Sequence, residues 1–197
     1  SIPILGYPRN DQLKKVQNKR KKIIYLPTMR NYTKNLNYLE NIYSNELKTV
    51  LKNHSATLYI KLHQYDSTQT ITENVNIITE PDIHQTLGEY DVLITDYSSI
   101  LFDYLLLNQP VIHYLFDHAQ FIEKERELYE DIHTISCGPI TKNVKELSKQ
   151  LNDILLGNDN YREKRETIKN MYNTFDDNNN SKRVADYIIG FINQKLK

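Results

Sequence analysis

Short apolar runs alternate with longer stretches of helical periodicity along this chain. Ile23-Ile24-Tyr25-Leu26 is a compact apolar run closed by Pro27, which reads as a strand with its stop. Residues 34–53 place Leu36, Leu39, Ile42, Tyr43, Leu47, Val50 and Leu51 near helical spacing. Ala56–Leu62 alternates and is rich in β-formers, Val75–Ile78 is a third strand, and Asp91-Val92-Leu93-Ile94 a fourth. Asp82 is placed to cap a short helix reaching about Leu87, and Ser98 or Ser99 starts a helix running to about Leu107. Asn108-Gln109-Pro110 breaks that helix before the strand Val111-Ile112-His113-Tyr114, and Gly138-Pro139 turns the chain again. Helices follow at about 143–156, 159–173 and 181–195, the last with Ser181 as its expected cap. The opening Ser1–Gly6 also reads as strand-like.

Strands separated by helices predict an α/β domain whose parallel sheet is covered on both faces. Ligands of such sheets bind beyond the carboxyl ends of the strands. The residues to watch are therefore Pro27-Thr28-Met29-Arg30, His63-Gln64, Thr79-Glu80 and Thr95-Asp96-Tyr97-Ser98-Ser99.

Composition narrows the function. A chain of 197 residues fits one compact domain with a sizeable core, and no apolar run approaches the ~20 residues of a membrane span. The 25 basic and 25 acidic residues balance, which argues against a duplex nucleic-acid binder; no nucleic-acid partner is expected. Lys14, Lys15, Lys19, Arg20, Lys21 and Lys22 form a local basic run, read as a solvated helix or turn, with attraction to an anionic membrane or polymer as the sharper alternative. A single cysteine, Cys137, excludes an internal disulfide framework and fits a cytoplasmic setting.

Thr95-Asp96-Tyr97-Ser98-Ser99 is the sharpest chemical feature. Two hydroxyls at a strand-to-helix junction can donate to a phosphate, and Asp103, one turn on, can accept from a ribose or glycerol hydroxyl. A plain helix cap would use the same two serines, and caps outnumber phosphate sites. His63 ends a strand with Lys61 on the same face, a pair suited to a pyrophosphate and its leaving charge. Thr28 and Arg30 offer a hydroxyl and a fixed charge, although a loop arginine paired with a nearby acid would look the same. No Walker loop, G-x-G-x-x-G, H-E-x-x-H or G-x-S-x-G segment is present, so no metal site is assigned and no cofactor is read.

Together these segments resemble one family, the CDP-glycerol glycerophosphotransferases of teichoic acid and capsule synthesis. Gly6-Tyr7-Pro8-Arg9-Asn10-Asp11 resembles its G-x-P-R-x-D segment, Ile23–Arg30 its strand with P-T-W-R, and Ile60–His63 its K-x-H segment. Asp91–Tyr104, DVLITDYSSILFDY, is similar to the family hallmark, and Leu107–Tyr114 and Gly138-Pro139 continue the likeness, which spans about residues 6–190. Met29 stands where tryptophan is usual, Gln64 where proline is usual, and Asp117-His118-Ala119 where Asp-x-Glu is common.

The resemblance implies the Rossmann-like C-terminal half of a GT-B-type transferase, a single donor-binding domain over 1–197 that is a fragment of a two-half enzyme. Pro27, Thr28, Lys61, Leu62, His63, Ser98, Ser99 and Asp103 would then line the donor site, with His63 catalytic, and Arg30 is added on its chemistry. The implied substrate is CDP-glycerol or a related CDP-alcohol. The implied partners are the N-terminal half of the same enzyme and a polyol-phosphate polymer on a lipid carrier, at the inner face of the cell membrane. A GT-B glycosyltransferase using a nucleotide sugar and a non-catalytic nucleotide-binding module are the alternatives.

Overall fold

The computed structural model describes residues 2–32, 42–61, 74–79, 82–125 and 128–195. Its strands are β1 (Lys22–Leu26), β2 (Thr57–Lys61), β3 (Val75–Ile78), β4 (Val92–Thr95), β5 (Val111–Tyr114) and β6 (Ile140–Thr141). All pair in parallel in the order β3-β2-β1-β4-β5-β6. The chain steps outward from β1 to β3, returns to β4 on the other side of β1, and steps outward again. The direction reverses between β1 and β4, whose register runs from Ile23↔Val92 to Leu26↔Thr95.

The apolar runs form strands because both faces of the sheet are covered. Successive side chains of β1 point to opposite faces. Ile24 and Leu26 join Leu87, Leu93, Leu101 and Tyr104 in one core. Ile23 and Tyr25 join Leu58, Ile94, Ile112 and Tyr114 in the other. Helices α1 (Asn45–Asn53) and α5 (Val144–Leu155) close that second core with Leu47, Leu51, Leu147 and Leu151. β4 and β5 are buried throughout, and β2, further out, is buried only at alternate residues.

Several expected elements change shape. The helical periodicity of 34–53 is interrupted by Ser44, whose Oγ accepts from Leu47 N–H at 3.2 Å and caps α1; residues 34–41 lie outside the described residues. The stretch after Ser99 is α-helical only over Ile100–Tyr104 (α2) and tightens to a 3-10 turn at Leu105–Leu107, ending at Asn108 with φ 45°. Asp82 does act as a cap, but for a 3-10 turn at Ile83–Gln85, which is followed by a separate 3-10 turn at Leu87–Glu89 rather than continuing as one helix. Helices α3 (His118–Lys124) and α4 (Ile132–Ile135) and the two-residue β6 went unread. Helix α6 covers Arg162–Tyr172, inside its expected limits.

The chain's opening is not a strand. Gly6 adopts φ +80°, and a Cβ there would lie 1.9 Å from Asn180 Oδ1, so only glycine fits the approach. A 3-10 turn at Pro8–Gln12 then carries Asp11 to the start of helix α7 (Asn180–Lys195). Asp11 accepts from the N–H groups of Asn180 and Ser181 at 2.8 and 2.7 Å, and so it, rather than Ser181, caps the helix. The basic run is not helical. Lys15 and Lys22 pair with Asp91 and Glu89 at the amino-terminal edge of the sheet, away from its ligand edge.

Candidate functional site

The carboxyl ends of β1 and β4 lie side by side at the reversal point, where open α/β sheets bind their ligands. Asp96, the first residue after β4, is buried and organises this edge. It accepts from Thr28 N–H at 2.9 Å, Thr28 Oγ1 at 2.6 Å and Tyr97 N–H at 2.6 Å. Its other oxygen lies 2.9 Å from Arg30 Nη1. Thr28 thus directs its hydroxyl proton to the sheet, and its residue still lines the cleft.

Arg30 requires a correction. Its side chain is 0% exposed, held by Asp96 and, through Nε and Nη2, by Asp117 at 2.7 and 2.9 Å. The ring of Phe121 covers it at 4.6 Å. Burial opposes the charge, but the bonds to Asp117 and Asp96 outweigh it and raise the guanidinium pKa further. Burial likewise pushes the Asp117 carboxyl up, and the Arg30 contacts pull it below the ordinary range on balance. Arg30 is therefore the arginine paired with nearby acids, and its guanidinium is sequestered from any phosphate in the cleft.

Ser98 and Ser99 do not cap the short helix that follows them. Ser99 makes no side-chain capping bond, and Ser98 Oγ is 3.5 Å from Ile100 N, at the limit of a hydrogen bond. Ser98 is partly exposed and Ser99 exposed. Both line two cavities that meet at Pro27. One, of about 640 Å³, is apolar and aromatic, bounded by Met29, Tyr97, Phe102, Tyr129 and Tyr172. The other, of about 290 Å³, has apolar walls of Leu26, Ile83 and Ile100 and carries the charged or polar groups of Arg9, Lys61, His84 and Asp103. An apolar compartment joined to a charged one through two hydroxyls suits a ligand with a base or ring at one end and phosphates at the other.

Asp103 is 2% exposed, and both carboxylate oxygens are engaged. Oδ1 accepts from Asn10 Nδ2 at 2.9 Å; Oδ2 faces Arg9 Nη2 at 2.9 Å and His84 Nε2 at 3.0 Å. Three segments distant in sequence meet on this one carboxylate. Arg9 and His84 were not singled out by sequence, because their partner lies 94 and 19 residues away. The sole hint was that Arg9 belongs to the G-x-P-R-x-D segment. Leu62 and His63 lie outside the described residues.

Two buried groups near the sheet are shifted by burial. Burial pushes the Cys137 thiol up to about 12, which disfavours the nucleophilic thiolate, and lowers His113 to about 4. Among the described residues, no three His, Cys, Asp or Glu side chains are grouped to hold a metal ion, and no helix is long and apolar enough to cross a membrane.

Comparison with known proteins places the fold and the family. The chain is 30% identical to a teichoic acid ribitol-phosphate primase of Bacillus spizizenii over 186 residues, covering 88% of this chain and 45% of that protein. It is 26% identical to a teichoic acid glycerol-phosphate transferase of Staphylococcus aureus, covering 93% and 53%. The fold superposes on the wall teichoic acid polymerase TagF, solved as a variant soaked with CDPG, with TM-score 0.80 and 25% identity over 99% of this chain and 53% of that one. The chain spans about half the length of these relatives. The model of the CDP-glycerol:poly(glycerophosphate) glycerophosphotransferases matches residues 1–190, and the chain belongs to that family.

Proposed function

We propose that this chain is the donor-binding, C-terminal half of a transferase that moves glycerol phosphate, or a related polyol phosphate, from a CDP-alcohol to a growing teichoic acid or capsule polymer. In this reading a terminal hydroxyl of the polymer attacks the β-phosphorus of the donor. The bond from that phosphorus to the bridging oxygen breaks, CMP leaves with the electron pair, and a phosphodiester forms. Such chemistry asks the protein mainly to position groups and neutralise charge. The observation that supports it most is the pair of uncapped serines, Ser98 and Ser99, where an aromatic and a charged cavity join at the reversal point of the sheet.

Pro27 and Thr28 form the floor of the donor site, the Ser98 and Ser99 hydroxyls and Lys61 meet its phosphates, and Asp103 lies at its polar end. Leu62 and His63 complete it by family motif, with His63 stabilising the departing CMP. The acceptor side, with the polymer on a lipid carrier at the cytoplasmic face of the membrane, belongs to an N-terminal half.

The test uses a two-half parent enzyme. His63→Ala should cut turnover on the order of 10²–10³-fold, as loss of an oxyanion donor does. The Ser98→Ala/Ser99→Ala double variant should weaken donor binding by roughly 1–3 kcal/mol with little loss of thermal stability. Normal turnover and donor affinity in both variants would remove this site from the reaction.

A further inference from the structure

We propose that His118 is a positioning residue of the phosphate site: it holds the Tyr97 ring in place and so sets the turn that presents the Ser98 and Ser99 hydroxyls. This rests on the donor-site reading above. The two serines have little local support. Ser99 makes no side-chain capping bond, and Ser98 Oγ is 3.5 Å from Ile100 N. The direction of their hydroxyls therefore depends on what holds the two residues before them, Asp96 and Tyr97.

Both of those residues are fastened to the start of helix α3. Asp96 is tied to it through Arg30, whose guanidinium lies 2.9 Å from Asp96 and 2.7 Å from Asp117. Tyr97 is tied to it directly. Its hydroxyl lies 2.8 Å from His118 Nδ1, its one hydrogen-bond partner among the described residues. Its ring stacks on Phe121, with centroids 3.9 Å apart and planes at 17°, and Arg30 Cζ lies 5.5 Å from the ring centroid. Phe121 is buried, so the tyrosine ring rests on a close-packed surface.

Stacking sets the plane of the Tyr97 ring but tolerates a range of offsets along Phe121. The hydrogen bond to His118 removes that freedom. Burial raises the pKa of the phenol, which keeps its proton. With the imidazole neutral, the phenol donates to Nδ1 and the ring hydrogen of His118 sits on Nε2. His118 is the first residue of α3, half-buried, and borders neither of the two cavities, so it acts on a ligand only through Tyr97. The serine turn is thus set before a ligand arrives, which lowers the ordering cost of binding.

Titration calorimetry of the 197-residue chain with CDP tests this. His118→Phe keeps a ring and loses the acceptor; it should weaken CDP roughly 2- to 10-fold, the range for one neutral hydrogen bond. His118→Asn, whose amide oxygen can stand in for Nδ1, should recover part of the loss. In the Ser98→Ala/Ser99→Ala background, His118→Phe should add little, because positioning has no effect once the hydroxyls are gone. A loss that persists in full in that background would mean that the substitution loosens the fold at large, and would overturn the assigned role. A His118→Phe chain that binds CDP as wild type does, while the serine variant is weakened, would overturn it too and leave the donor site standing. Unchanged CDP affinity in the serine variant would remove the serines from the donor site, and a wild-type chain that binds no CDP would remove the site itself; each would take this inference with it.

Discussion

Arg9 and Arg30 both stand at the ligand edge of the sheet, and their surroundings divide their work. Arg30 follows a strand and so reads as a site residue, but Asp117, 87 residues away, closes over its guanidinium. The stability of the two arginines should differ accordingly. Arg30→Ala would strand two buried carboxylates, and breaking a buried pair from one side costs about 3–5 kcal/mol. Arg9→Ala removes a half-exposed partner of one buried carboxylate, Asp103, which keeps Asn10 and His84, and so should cost less than Arg30→Ala. Urea unfolding of both variants measures this difference. An Arg30→Ala protein as stable as wild type would contradict the structural role given to Arg30.

At the scale of elements, the central strands were legible because burial on both faces demands continuous apolar runs, as in Ile23–Leu26, Val92–Ile94 and Val111–Tyr114. The periphery was less so. β6 is two residues long and has no pattern to read, and α3 buries only Phe121. The candidate site is legible in sequence where its residues end or follow a strand, as Pro27, Lys61, Ser98 and Ser99 do. It was illegible where distant segments meet, as at Asp103.

One such junction should respond to pH. His113 on β5 accepts the Cys137 N–H through Nε2 at 3.2 Å, so it must be neutral to hold the segment leading to β6. Burial lowers its pKa from 6.5 to about 4. Between these values the unfolded chain binds a proton here that the folded chain does not. The stabilisation is full above pH 6.5 and is lost as pH falls towards 4, at up to about 1.4 kcal/mol per pH unit. In His113→Gln this part of the slope should vanish. Identical pH slopes of unfolding free energy in the two proteins would show that His113 does not titrate as described.

For the whole molecule, the reversal of strand order places the ends of β1 and β4 together, and the described residues Pro27, Thr28, Lys61, Ser98, Ser99 and Asp103 line the cavities there. The chain belongs to the CDP-glycerol:poly(glycerophosphate) glycerophosphotransferases, superposes on TagF, and spans about half of each relative. The most direct test is titration of CDP-glycerol into the isotope-labelled chain, followed by amide chemical shifts, with a UDP-sugar as comparison. The account expects weak saturable binding of CDP-glycerol, with the largest shifts at Thr28, Lys61, Tyr97–Asp103 and Arg9, and a smaller response to the UDP-sugar. Shifts centred elsewhere on the fold, stronger binding of the UDP-sugar, or no response to CDP-glycerol would contradict it.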